Sequence, residues 1–256
     1  MPPRRTTPAR GAPRHFLDLD RLPAKTLRRI LERAKAMKRA GRKGGAPLKG
    51  RTLAMIFEKQ STRTRVSFEV AMYQLGGFSV VLDANGSHLG QRETVEDTAR
   101  VLARYVDAIM LRTDDPRKLE AMAALGAVPV INGLTDASHP CQLMADVMTY
   151  EERKGPIKGA TVAWCGDGNN VAASWIQAAE RFGFALRLAV PKELRHKPER
   201  IAWATERGVS VTLHDDPRAA VKGADCVVTD AWVSMGNNDH ARRHRLLAPF
   251  RVDAAL

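Results

Sequence analysis

Ser61-Thr62-Arg63-Thr64-Arg65 packs three hydroxyls and two guanidinium groups into five consecutive residues. An apolar, strand-like run, 51–57, leads into it. After it Val66, Phe68, Val70, Ala71, Tyr73 and Leu75 recur at helical spacing until Gly76-Gly77 stops the pattern. The cluster therefore falls where a strand turns into a helix. The first N–H groups of a helix have no partner of their own and favour an anion there. Arginine grips phosphate or carboxylate oxygens in a two-pronged fork. The residues read as a pocket for a phosphate or a carboxylate. The plainer reading is a capped helix with solvated arginines, but hydroxyls and arginines alternate here more densely than a cap requires.

The elements that must position this cluster repeat along the chain. Strand-like runs are expected at 53–57, 78–82, 108–111 and 128–131, and again at 161–165, 186–190, 209–213 and 226–229. Helical patterns such as 95–105 and 116–125 separate them. Repeated strand–helix units imply an α/β protein of two doubly wound parallel-sheet domains. A helical stretch at 142–153 joins them, and Lys154-Gly155-Pro156 ends it. The expected organisation is a basic leader at 1–14, a first domain at 15–153 and a second at 154–256. Open parallel sheets bind ligands beyond the carboxyl ends of their strands. The polar residues there are Ser61–Thr64, Arg112, His139, Asn169 with Asn170, and Asp230. Gly166-Asp167-Gly168 hints at a dinucleotide loop, but Val171 stands where a third glycine belongs. The next strand also ends without an acid, so a nicotinamide cofactor is not expected.

The net charge of +13 is concentrated at the front. Residues 1–51 hold 16 Lys/Arg against 3 Asp/Glu, and the rest of the chain holds 25 of each sign. Such a distribution can mark a nucleic-acid arm. This arm has one aromatic residue, Phe16, for base stacking. Much of its charge also falls on a helical pattern with Leu22, Leu27, Ile30, Leu31, Ala34 and Met37 on its apolar side, so a solvated helix face is expected instead of a nucleic-acid site. No apolar run approaches a membrane span, and no apolar core follows the basic start, so neither a membrane anchor nor a secretory signal is read. Cys141, Cys165 and Cys226 are too few and too widely spaced for a disulfide framework or a zinc motif. A reducing cytoplasm suits them.

Three motifs together carry a family resemblance. Ser61-Thr62-Arg63-Thr64-Arg65 after Phe57-Glu58-Lys59 resembles the carbamoyl-phosphate loop of the carbamoyltransferases. His139-Pro140-Cys141-Gln142 resembles the family's HPxQ motif. Asp230 through Gly236 resembles the D-x-x-x-S-M-G loop that sets ornithine carbamoyltransferases apart from their aspartate-using relatives. The similarity runs from about His15 to the last residue. It implies transfer of a carbamoyl group from carbamoyl phosphate to ornithine by a cytoplasmic homotrimer, with no metal and no cofactor. Carbamoyl phosphate would be held by Ser61, Thr62, Arg63, Thr64, His88, Arg112, His139, Pro140, Cys141 and Gln142, with Arg112 and His139 catalytic. Ornithine would be held by Asn170, Asp230, Ser234 and Met235. The family continues past the equivalent of Leu256 with a strand ending in an HCLP motif, which this sequence lacks. On that ground the second domain is expected to be incomplete and the amine half of the site partly unlined. The alternative is a catalytically impaired, ligand-binding or trimer-forming remnant of the family.

Overall fold

The computed structural model describes residues 14–83, 93–233 and 239–256. His88, Ser234 and Met235 lie outside them. The chain forms two compact units. One contains the residues through Leu17 together with Ala40–Leu134, the other Asp18–Arg39 together with Thr135–Leu256. Among the described residues no helix is long and apolar enough to cross a membrane.

Helix α1, Ala24–Ala40, accounts for much of the basic N-terminal region. Its apolar positions seat Leu27 and Leu31 in the core of the second unit. Its charges are partly structural, since Arg28 donates to both oxygens of Glu151 at 2.7 and 2.8 Å and Lys35 to Oε2 at 2.5 Å. The Arg28 guanidinium also lies 5.1 Å over the Phe182 ring.

The first unit carries β1 (Thr52–Phe57), α2 (Thr62–Gln74), β2 (Phe78–Asp83), α3 (Val95–Leu102), β3 (Ala108–Arg112), α4 (Pro116–Ala124) and β4 (Val130–Leu134). The strands pair in parallel in the order β2-β1-β3-β4. Strand side chains alternate between faces, so β1 feeds two cores. Leu53, Met55 and Phe57 pack with Met72 of α2 and Met110, while Ala54 and Ile56 pack with Ala99 of α3 and Leu119 of α4. Helix α2 ends where Gly76 takes φ 79°, a left-handed conformation that suits a residue without Cβ. Strand β4 starts two residues later than the apolar run suggests, because Pro129 has no N–H to give a ladder. At its outer side Phe16 bridges Ile131, with Phe16 N donating to Val130 O at 2.8 Å and Asn132 N to Phe16 O at 2.8 Å.

The second unit carries α5 (Pro140–Lys154), β5 (Thr161–Cys165), α6 (Asn170–Phe182), β6 (Ala185–Ala189), α7 (Pro198–Thr205), β7 (Val211–His214), α8 (Pro217–Val221), β8 (Cys226–Val228) and α9 (His240–Leu247). Its parallel order is β7-β6-β5-β8. Helix α6 is buried nearly all round, and its run of small residues (Ala172, Ala173, Ser174, Ala178, Ala179) lets it pack closely. Trp175 meets Phe184 edge-on at 5.7 Å. Helix α5 starts at Pro140, whose missing N–H and fixed φ suit a first helical position. It packs on α6 and binds α1 through Glu151, and it groups with the second unit. By packing, the second unit therefore takes in α5 as well, from Thr135 onward.

Candidate active site

In each sheet the strand order reverses once, between β1 and β3 in the first and between β5 and β8 in the second. A crevice opens at such a point beyond the carboxyl ends of the two strands. Each reversal has its own polar cluster.

In the first unit Ser61 is the N-cap of α2, its hydroxyl accepting from Thr64 N at 3.3 Å. No described residue accepts from the N–H groups of Thr62 or Arg63. Arg112, paired with Phe57 across β1 and β3, is 5 % exposed and donates from Nη1 to Thr64 Oγ1 at 3.0 Å. Its Nε is buried with no partner among the described residues. Burial, and then the charge of Arg63, hold the Arg112 pKa below its ordinary value. Glu58 at the end of β1 does not relieve this, since Lys118 takes its Oε1 at 2.8 Å and the Thr113 hydroxyl its Oε2. Two guanidiniums that repel, a buried unanswered N–H and a bare helix start all demand an anion.

Leu134 sits opposite Arg112 across an irregularity in the β3–β4 ladder. It is the non-glycine residue with positive φ among those described, at 147°. Its N–H donates to Asn132 Oδ1 at 2.9 Å, and its carbonyl accepts from Thr113 N at 3.1 Å. Backbone strain of this kind is held in place by its surroundings and gathers at functional sites.

In the second unit His139 is the residue before α5, and its N–H donates to Ser174 Oγ at 2.8 Å. Pro140 is buried and Cys141 half-buried. Burial pushes the Cys141 thiol up to about 12, so it stays protonated at neutral pH and is a poor nucleophile. Gln142 is exposed and donates from Nε2 to Asp146 Oδ1 at 2.7 Å. Burial first, and then the charge of Asp230, raise Asp146 to about 6.

Asn169 caps α6, its Oδ1 accepting from Val171 N and Ala172 N at 3.0 Å each. The same amide donates from Nδ2 to Asp230 Oδ2 at 2.8 Å. Asp230 Oδ1 accepts from Ala231 N at 2.7 Å, which leaves the exposed carboxylate held at both oxygens. Asn170 donates to Thr135 O at 2.7 Å. Gly168 has its place because the Leu194 carbonyl lies 2.0 Å from where a Cβ would stand. An acceptor oxygen pressed on this loop suits close backbone packing and opposes a pyrophosphate. Among the described residues no group of His, Cys, Asp and Glu could hold a metal ion.

Residues 14–152 match the model of the aspartate/ornithine carbamoyltransferase carbamoyl-P binding domain, and residues 158–256 match that of the Asp/Orn binding domain. This chain belongs to the aspartate/ornithine carbamoyltransferase family. An ornithine carbamoyltransferase of Rhodopseudomonas palustris (strain BisA53) is 55 % identical over 253 residues, which cover 96 % of this chain and 81 % of that one. One from Nitrobacter winogradskyi is 55 % identical over 248 residues, covering 96 % and 80 %. The solved ornithine carbamoyltransferase of Pyrococcus furiosus superposes with a TM-score of 0.90 at 47 % identity, covering 95 % of this chain and 80 % of that one.

Of the residues expected from the sequence, Ser61, Thr62, Arg63, Thr64 and Arg112 lie together in the first unit. His139, Pro140, Cys141, Gln142, Asn170 and Asp230 lie in the second. Sequence reasoning does not single out Asp146 or Leu134, and it places Asn169 with Asn170 at the end of β5 without assigning it a ligand. For Asp146 a usable signal exists, since it stands four residues after Gln142 on one helix.

Proposed function

We propose that the chain transfers the carbamoyl group of carbamoyl phosphate to the side-chain amine of ornithine, giving citrulline and phosphate. The single observation that carries this is the anion pocket of the first unit, where buried Arg112 reaches Thr64 at the start of α2 and feels the charge of Arg63. Carbamoyl phosphate is an acyl phosphate with a good leaving group. Its reaction with an amine needs alignment, an unprotonated nucleophile and stabilisation of the oxygen that gains charge. We assign the phosphoryl group to Ser61, Thr62, Arg63 and Thr64. Arg112 and His139 are assigned to the carbamoyl oxygen, and Gln142 to the carbamoyl amide. Asp230 is assigned to the α-ammonium of the amino acid and Asn170 to its carboxylate end.

Ornithine as the acceptor is supported by the 55 % identical relatives named for it. The test is citrulline formation from ornithine and carbamoyl phosphate, run beside carbamoylation of aspartate. Product from aspartate alone would overturn the choice.

A homotrimer is proposed as the working form. Val66, Val70 and Tyr73 on α2 and Phe78 on β2 are 50, 44, 82 and 65 % exposed. An open groove of ≈ 520 Å³ runs along α2 from Thr62 and Arg63 past Val66 and Val70. Apolar surface gathered beside a charged pocket fits a subunit contact, and light scattering gives the mass directly. A role in arginine biosynthesis in the cytoplasm completes the proposal, and the three thiols suit a reducing compartment.

A further inference from the structure

We propose that Asp146 is a positioning residue that fixes which end of the Gln142 amide faces the carbamoyl group. This rests on the assignment of Gln142 to that group. Gln142 and Asp146 are four residues apart on α5, so their side chains lie on one face, and Nε2 sits 2.7 Å from Oδ1. An ionised carboxylate only accepts hydrogen bonds. It therefore draws the NH2 end of the amide toward itself and turns Oε1 outward. The carbamoyl group of the substrate ends in an NH2, which donates and needs an acceptor. A reversed glutamine would set NH2 against NH2. Glutamine alone has no strong preference between the two orientations, and Asp146 supplies one.

The sense of this control depends on the Asp146 proton. A protonated Asp146 can donate to Oε1 and hold the amide the wrong way round. Burial, followed by the nearby charge of Asp230, raises its pKa to about 6, so the orienting form is the one present at neutral pH. The groups facing Asp146 are Gln142 from its own helix, Asp230 from the loop after β8, and Cys226 on β8, whose thiol is pushed up by burial and then by Asp146. An ammonium paired with Asp230 offsets that carboxylate and favours the ionised form of Asp146. Occupation of the amino-acid site thus tightens the hold on the carbamoyl amide.

The experiment compares wild type, Asp146→Asn, Gln142→Ala and the double variant. Calorimetry uses phosphonoacetamide, a stable phosphonate with a terminal amide, and inorganic phosphate as a ligand without one. Asp146→Asn should weaken phosphonoacetamide about tenfold and leave phosphate unchanged. In the Gln142→Ala background the same change should add nothing, because Asp146 acts through Gln142. As the pH drops through about 6 the phosphonoacetamide affinity of wild type should fall more steeply than that of Asp146→Asn, the fall common to both belonging to protonation of the phosphonate. Thermal unfolding of Asp146→Asn at pH 7.5 should not be lowered, since the variant removes a carboxylate that ionises at a cost. Equal losses for both ligands, an undiminished effect without Gln142, or a drop in thermal midpoint would overturn the inference. Absence of citrulline formation and of phosphate binding in wild type would instead sink the assigned function, which these arms separate from failure of the inference.

Discussion

Asn169→Ser separates two jobs that one amide now does. Asn169 Oδ1 closes the start of α6, and Nδ2 holds Asp230. A serine keeps the cap and cannot reach Asp230. Asn169→Ala loses both, and Asn169→Asp keeps the cap but sets a carboxylate against a carboxylate. Loss of a cap costs about 1 kcal/mol, within roughly 0.5–2. A hydrogen bond to a charged group is worth about 1.5–3 kcal/mol, but Asp230 is exposed, so about 1 kcal/mol is the apt figure. For a chain of this size 1 kcal/mol moves the thermal midpoint by about 2–4 °C. Asn169→Ala, which loses both, should therefore melt lower by about 4–8 °C, while Asn169→Ser, which loses only the bond to Asp230, should melt lower by about 2–4 °C. Both should raise the ornithine KM about fivefold, the equivalent of about 1 kcal/mol, and leave phosphate affinity unchanged. Asn169→Asp should melt below Asn169→Ser, because repulsion from Asp230 adds to the lost hydrogen bond, and its response to ornithine should change because a second carboxylate stands beside the ammonium. Thermal scans and citrulline assays on the four proteins read all of this. A wild-type ornithine KM for Asn169→Ser would show that Asp230 needs no such support. A melting point for Asn169→Ser as low as that of Asn169→Ala would show that the cap is not what Asn169 contributes.

Three further outcomes are expected. Arg63→Ala should weaken inorganic phosphate by about 1.5–3 kcal/mol in calorimetry, as for a charged hydrogen-bond partner. Asp230→Asn should abolish measurable ornithine saturation while phosphate binding persists. At Glu151, whose side chain is 3 % exposed, burial opposes ionisation, but hydrogen bonds from Arg28 and Lys35 outweigh it and hold the carboxyl below its ordinary 4.5. A depressed carboxylate lends stability above its unfolded pKa and loses it as pH falls through the folded value. Urea unfolding of wild type should therefore weaken below pH 4.5, and Glu151→Gln should flatten that slope. The variant should also cost about 1–3 kcal/mol at neutral pH, below the full penalty of a buried pair because Arg28 reaches solvent.

The strands were open to reading because a parallel strand covered on both faces is a nearly continuous apolar run. Thr161–Cys165 shows this, with Val162, Ala163, Trp164 and Cys165 all fully buried. Strand ends were less open, and β4 slid past Pro129 for lack of a donor. The grouping of α1 with α5 could not be read, because Arg28 meets Glu151 across 123 residues. The anion cluster at Ser61–Thr64 was legible because its residues are consecutive. The bond from Asn169 to Asp230 spans 61 residues and follows from the adjacency of β5 and β8, which no local pattern encodes. The positive φ of Leu134 was equally hidden, since leucine gives no warning of it.

The bridge between Phe16 and Ile131 bears on how the molecule is made. Val130 N donates to His15 Nδ1 at 3.1 Å over a separation of 115 residues. The ribosome therefore releases the rim piece of the first sheet long before β4 exists to receive it. What is made first docks last. Until it docks, the outer backbone groups of β4 stand ready to pair with a neighbouring nascent chain. The N-terminal piece waits unpaired for the time it takes to translate from residue 16 to residue 134, and a fusion partner that tethers the N-terminus would prolong the exposure of β4 once that strand is made.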